Sequence, residues 1–145
     1  MKVDIRAATA GDAIAIAALE AHAAHHPWSL ASVQDMLALE TTVGWLATHP
    51  APCGYLLASE VVGEGELLTI GVHPAVRRRG IAHRLMEALE CHWQTNQVSR
   101  GFLEVRADNT PARSLYRTRG WRETGRRSDY YGPGDDAVNM MWEAR

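Results

Sequence analysis

The feature that most restricts the fold is a strand–helix–strand run in the second half of the chain. From about Gly80 to Gln97, Ile81, Leu85, Ala88, Leu89 and His92 or Trp93 recur with a helical period, which predicts an amphipathic helix. Leu67–Val72 before it reads as a strand stopped by Pro74, and Gly101–Arg106 after it alternates like a strand. Two strands joined through a helix lie parallel in one sheet by a right-handed crossover.

The other predicted elements are short and joined by turns. Residues 3–7 read as a strand. Thr9-Ala10-Gly11-Asp12 has the form of a capping box and starts a helix whose apolar face is Ile14, Ala17, Ala18 and Ala21, with Pro27 ending it. Ser29 caps a second short helix with Leu30, Val33 and Leu37 on one side. Val43–Thr48 and Tyr55–Val62 flank the turn His49-Pro50-Ala51-Pro52, and Gly63 with Gly65 marks the next turn. Thr110-Pro111 opens a helix that Gly120 closes. Trp121–Arg126 and Ala137–Trp142 are final strands around Gly132-Pro133-Gly134. This order is α+β, or mixed α/β, in a single domain over residues 1–145.

Composition narrows the function. The 145 residues are 46% hydrophobic and 22% charged, which suits one packed core. A net charge of -2 argues against a dedicated nucleic-acid binder, which needs a basic face. No apolar run approaches membrane-spanning length, and the polar start MKVDIRAATAGD lacks a signal-peptide pattern, so a cytoplasmic location is expected. Cys53 and Cys91 form no C-x-x-C pair, fit a reducing compartment, and are expected in the core. His22, His25 and His26 have helical spacing, but no H-E-x-x-H pattern supports a metal and Pro27 interrupts the helix beside them; no metal is expected.

The segment most suggestive of chemistry is Val76-Arg77-Arg78-Arg79-Gly80-Ile81-Ala82, between a strand end and a helix start. Free N–H groups in a first helical turn, a glycine that lets the backbone approach a ligand, and flanking arginines together suit a pyrophosphate. The segment is neither a P-loop nor a dinucleotide-binding fingerprint. A solvated basic helix start is the competing reading.

Arg77-x-x-Gly80-x-Ala82 has the [RQ]-x-x-G-x-[GA] form of the GNAT N-acetyltransferases, which the chain resembles in several segments in order. Ile5-Arg6-Ala7-Ala8-Thr9 through Asp12 looks like the family's first strand and helix start. Asn109-Thr110-Pro111-Ala112-Arg113-Ser114-Leu115-Tyr116 followed by Arg119-Gly120-Trp121 looks like its N-x-x-A-x-x-L-Y-x-x-x-G-[FW] segment. Within the superfamily the chain is similar to the RimI-type ribosomal-protein-alanine N-acetyltransferases. That similarity runs through His26-Pro27-Trp28-Ser29, Glu66–Val72, Leu103-Glu104-Val105-Arg106 and Arg127-Ser128-Asp129-Tyr130-Tyr131. Ala82 stands where many members carry glycine, and Trp121 where phenylalanine is usual; both are mild departures.

The resemblance implies a GNAT acyl-CoA N-acyltransferase fold, with a central mixed, mostly antiparallel sheet flanked by helices. It implies acetyl-CoA as cosubstrate and no metal. Arg77, Arg78, Arg79, Gly80, Ile81, Ala82 and His83 would hold the pyrophosphate, Ile70, Gly71 and Val72 the pantetheine arm, and Asn109 a further cofactor contact. Glu104 matches the family's proton acceptor and Tyr116 its proton donor. On the residues alone, Glu104 reads equally as a surface carboxylate paired with Arg106 or Arg84, and Tyr116 as a half-buried helix aromatic. Trp28 is a core anchor or part of the acceptor groove, while Tyr130 and Tyr131 border the acceptor entrance. Asp129, Asp135 and Asp136 near that loop would attract a basic peptide. The implied acceptor is the N-terminal α-amine, of alanine, in a small-subunit ribosomal protein, and tRNA-modification proteins are implied associates. No direct nucleic acid or membrane contact is expected. A lysine or small-molecule acceptor, or a non-catalytic acetyl-CoA-binding module, are the alternatives.

Overall fold

The computed structural model describes residues 2–24 and 26–145. Seven strands, β1 (Asp4–Ala7), β2 (Thr42–Thr48), β3 (Pro52–Val61), β4 (Glu64–Val72), β5 (Arg100–Arg106), β6 (Arg122–Gly132) and β7 (Asp135–Glu143), form one sheet. The helices are α1 (Ala13–Ala23), α2 (Leu30–Leu37), α3 (Ile81–Thr95) and α4 (Thr110–Thr118). The strand order is β1-β2-β3-β4-β5-β7-β6. Among the described strands only β4 and β5 run parallel, joined through α3 as the crossover argument requires. The other neighbours are antiparallel.

Alternation along the strands sends side chains to two faces. Leu46, Tyr55 and Leu57 pack against Ile16 and Leu19 of α1 and Val33 of α2. Ala47, Leu56 and Ala58 face the other way, where α3 brings Ile81, Leu85, Met86, Leu89 and Trp93. Each buried leucine, isoleucine, valine or methionine among them contributes about 1.5–3 kcal/mol. Trp93, not His92, takes the inner position. Gly65 and Gly101 pair with one another across β4 and β5, and a Cβ on either would overlap the Trp93 indole. His92 instead meets Glu60 at 2.8 Å.

Two expectations are corrected. The buried face of α1 is Ala13, Ile16, Leu19 and Glu20, and Ile14 is 72% exposed. The helix, AIAIAALEAHA, is apolar on every side, so its period cannot choose a face. Cys53 is buried, but Cys91 is exposed. Two residues past Leu89 along α3 is about 200° of helical turn, which takes Cys91 away from the core.

Asp12 joins the start of α1 to β1. Its carboxylate accepts both Arg6 Nη atoms at 2.8 Å and the Thr9 N–H at 2.8 Å. The Arg6 hydrogen bonds hold the Asp12 carboxyl down at about 2, from an ordinary 3.8. A depressed folded-state value gives stability that is present above the unfolded value and lost as pH falls through the folded one. Asp12→Asn is therefore expected to remove stability at neutral pH and to flatten the loss between pH 4 and about 2, read from urea midpoints across that range.

What matters for the site is where β4 leaves β5. The two pair only from Glu64–Glu66 to Arg100–Phe102. Against β3, Leu57 faces Thr69 and Ala58 faces Leu67, so Leu68 is the extra residue of a bulge. A bulge bends its strand, and past Glu66 the parallel strands part.

Candidate active site

The exposed edge of β4 has a polarity that can be worked out. His73 N–H donates to the Cys53 carbonyl at 2.8 Å. Bonded and non-bonded positions alternate along an antiparallel pair. Gly71 and Thr69 therefore turn their N–H and C=O groups toward β3, and Ile70 and Val72 turn theirs toward the gap. The Val72 carbonyl accepts Arg77 Nε at 3.1 Å, as this polarity requires. Gly71 serves differently: a Cβ there would lie 2.6 Å from Ala23 and 2.7 Å from the Tyr55 ring, so only glycine fits.

A groove of about 620 Å³ runs from this edge to the start of α3 and along α4, lined by Ile70, Gly71, Val72, Arg77, Arg78, Gly80, Ile81, Ala82, His83, Asn109 and Tyr116 among others. Gly80 caps α3 with φ at 79°, and the space beside it is open to 4 Å. Arg78 also sits in the left-handed region, at φ 62°. The first turn of α3 thus presents free N–H groups and the positive end of the helix dipole to the groove, a place for an anion. Arg77 is committed elsewhere, its guanidinium bridging the Val72 and His22 carbonyls at 3.1 and 3.5 Å. Arg79 lies outside the lining. Asn109 caps α4, its Oδ1 accepting the Ala112 N–H at 3.2 Å.

On the other side of the gap lies a second cavity of about 630 Å³, lined by β4 from Leu67 to Ile70, β5 from Leu103 to Arg106, Ala24, His26 and Tyr131. Glu104 points away from the buried face that holds Leu103 and Val105. Its nearest cation is Arg127, at 3.7 Å, rather than the expected Arg106 or Arg84. Arg106 pairs with Asp135 and lies 4.9 Å over the Tyr131 ring, and Arg84 donates to the Val3 carbonyl. Ala23, Ile70, Asn109 and Tyr116 line both cavities, so the two meet at Tyr116. Burial, with Tyr131 adding to it, pushes the Tyr116 phenol well above its ordinary value.

The structure brings Glu104, Tyr116, Tyr131, Asn109, Ile70, Arg78 and the Gly80–His83 segment together around the gap. Trp28 lines neither cavity and packs partly buried against the α1–α2 core. Tyr130 also lies outside, edge-on to Tyr131 at 5.0 Å, with Arg127 5.3 Å over its ring. The three aspartates of the hairpin are occupied internally. Asp135 holds Arg106, Asp136 holds Arg126 at 3.0 Å, and Asp129 accepts the Gly134 N–H at 2.7 Å. The charges of Asp135 and Asp136 are thereby offset by arginines, whereas Asp129 accepts from a backbone N–H. No group of three metal-ligating side chains occurs among the described residues, and His25 of the histidine cluster lies outside them. No described helix is long and apolar enough to cross a membrane. Sequence reasoning missed Ala23, Thr69 and Arg106 in the lining. Thr69 alone left a trace, a polar residue within the apolar run from Leu67 to Val72.

The acetyltransferase (GNAT) family profile matches residues 13–121. N-alpha-acetyltransferase RimI of Mycobacterium tuberculosis is 44% identical over 78 residues, 53% of this chain and 48% of that protein. The ribosomal protein bS18-alanine N-acetyltransferase of Salmonella typhimurium is 36% identical over 89 residues, 59% of this chain and 60% of that protein. The chain thus spans about half to three-fifths of the length of these curated relatives. The crystal structure of the ribosomal-protein-S18-alanine N-acetyltransferase from Escherichia coli superposes with a TM-score of 0.91 at 26% identity, over 98% of this chain and 94% of that one. With its split parallel strands, its left-handed loop at the start of α3 and a profile match over residues 13–121, the protein belongs to the acetyltransferase (GNAT) family.

Proposed function

We propose that the protein transfers the acetyl group of acetyl-CoA to the N-terminal α-amine of a protein, an alanine of a small-subunit ribosomal protein, within one ternary complex. The observation that carries this reading is the meeting of two cavities at Tyr116, one with an anion-accepting loop and the other with Glu104. The similarity to bS18-alanine N-acetyltransferases supports the choice of acceptor.

The residues suit the cosubstrate. Gly80, open on its free side, and the first N–H groups of α3 suit a pyrophosphate, with Arg78 adding charge. The outward N–H and C=O of Ile70 and the N–H of Val72 suit an amide-bearing arm laid along β4 as an added strand. Acetyl-CoA, when bound, supplies an activated acetyl carbonyl.

The chain's own residues then manage protons. An α-amine has a pKa of about 7.7–8.0 and arrives largely as ammonium at neutral pH. Glu104, in the wall of the second cavity, takes that proton, directly or through a water. Tyr116, where the two cavities meet, offers the Oη proton to the departing sulfur. Neither Cys53 nor Cys91 lines either cavity, which supports direct transfer without a thiol-bound acyl group.

The deciding experiment incubates the protein with acetyl-CoA and three acceptors, and locates the added 42 Da (about one acetyl group) by fragmentation mass spectrometry. The acceptors are an Ala-initiated peptide, the same peptide with a blocked N-terminus and a free lysine, and a small amine. Acetylation confined to the α-amine is expected. Equal rates on the first two would overturn the α-amine reading in favour of lysine. Transfer only to the small amine would favour a small-molecule enzyme, and no transfer at all a non-catalytic module.

A further inference from the structure

Glu20 is a buried carboxylate that the proton transfers above do not use. It lies near the end of α1 and is 1% exposed. Three different elements donate to it. Tyr55 Oη on β3 and Thr69 Oγ1 on β4 both donate to Oε1, the latter at 2.6 Å, and the backbone N–H of Trp28 donates to Oε2 at 2.9 Å. A carboxylate in such a place is costly unless its lone pairs are satisfied, so its retention asks for a purpose.

The three donors are placed to give it one. Thr69 follows the bulged Leu68 and lines the second cavity. Tyr55 packs under Gly71, where no Cβ fits. Trp28 ends the connection between α1 and α2, and that connection carries Ala24 and His26 into the wall of the same cavity. One side chain thus ties the edge of β4 to the loop facing it. We propose that Glu20 is a positioning residue, which anchors the α1–α2 connection to β4 and so sets the wall that receives the acceptor. This rests on the second cavity being the acceptor site, as proposed above. Glu20 itself lines neither cavity and needs no contact with substrate.

Glu20→Gln separates the two halves of the clamp. The carbonyl oxygen of Gln can still accept both hydroxyls. In one orientation its amide group faces the Trp28 N–H, donor against donor; in the other the hydroxyls must turn to accept and the Trp28 N–H keeps only a neutral acceptor, so in both the tie to the loop is weakened. Losing a hydrogen bond to a buried charged group predicts a rise of about tenfold in the acceptor KM. The kcat is expected to stay within about threefold, and the CoA-induced rise in melting temperature to match wild type, because the α3 loop is untouched. Hydrogen exchange should quicken in the segment 26–29 and not in α3.

An unchanged KM with unchanged exchange at 26–29 would overturn the proposal. So would a fall in kcat and in the cofactor shift with KM constant, the pattern of a purely structural loss. If Glu20→Gln does not fold, Tyr55→Phe takes its place. It removes one donor from the carboxylate and should raise KM in the same direction by a smaller factor. If the wild type acetylates a lysine or a small amine instead of the peptide, the α-amine reading fails. The same KM split, measured on that acceptor together with the exchange at 26–29, still decides the role of Glu20.

Discussion

Glu104→Gln is expected to lower acetyl transfer to an Ala-initiated peptide by about 10²–10⁴-fold at neutral pH, the usual range for loss of a general base. The amide has nearly the same shape, so the wall of the second cavity and the packing of β5 remain. What is lost is the group that accepts a proton from the ammonium. Above about pH 8 more of the α-amine arrives already deprotonated, so part of the defect should recover as pH rises. The measurement is kcat/KM against pH for both proteins. A mutant profile parallel to wild type, with no recovery at high pH, would remove Glu104 from proton transfer and leave it as an acceptor-binding carboxylate. Arg127, 3.7 Å from Glu104 and itself largely exposed, offers a control. A weak exposed pair contributes about 0–1 kcal/mol, so Arg127→Ala should alter the rate far less.

Gly80→Glu is expected to abolish the stabilisation that acetyl-CoA gives the wild type. A ligand at 100 times its dissociation constant adds about 2.7 kcal/mol, which raises the melting temperature of a chain this size by roughly 5–10 °C. Gly80 has φ at 79° with open space beside it, so a Cβ there meets no atom within 4 Å. The glutamate places an anion where the first turn of α3 would receive another. Gly80→Ala isolates the backbone effect: the left-handed conformation costs about 1–2 kcal/mol with a Cβ, but no charge is added. That variant should melt somewhat lower and keep most of its shift with acetyl-CoA. A full shift retained by Gly80→Glu would show that phosphates are not held at this loop.

Much of the site was legible in the sequence because its parts are local. The Arg78–His83 loop is a contiguous segment at a strand–helix junction, and Tyr116 and Asn109 belong to one short helix that Pro111 starts and Gly120 stops. What was not legible depends on contacts between distant segments. Tyr130 is aromatic and near the acceptor side in sequence, yet it lies outside the cavities, while Trp28 takes the core reading of its two. Asp135 and Asp136 look like free acids until Arg106 and Arg126 are folded onto them. The phase of α1 had no clear local determinant, since its alanines and isoleucines spread around the helix.

The sequence by itself determined the order of elements, the single parallel crossover and the α3 loop, because periodicity, turn residues and the helix-start glycine act within a few residues of one another. Only the tertiary structure decided that a bulge at Leu68 would part β4 from β5, that Gly65 and Gly101 would make room for Trp93, and that Glu20 would join three elements. It also decided that Tyr116 and Glu104, on separate elements, would border one cavity. These outcomes depend on which surfaces meet when α1, α3 and the sheet are packed to fill space. Such contacts join residues far apart in the chain, and no local pattern encodes them.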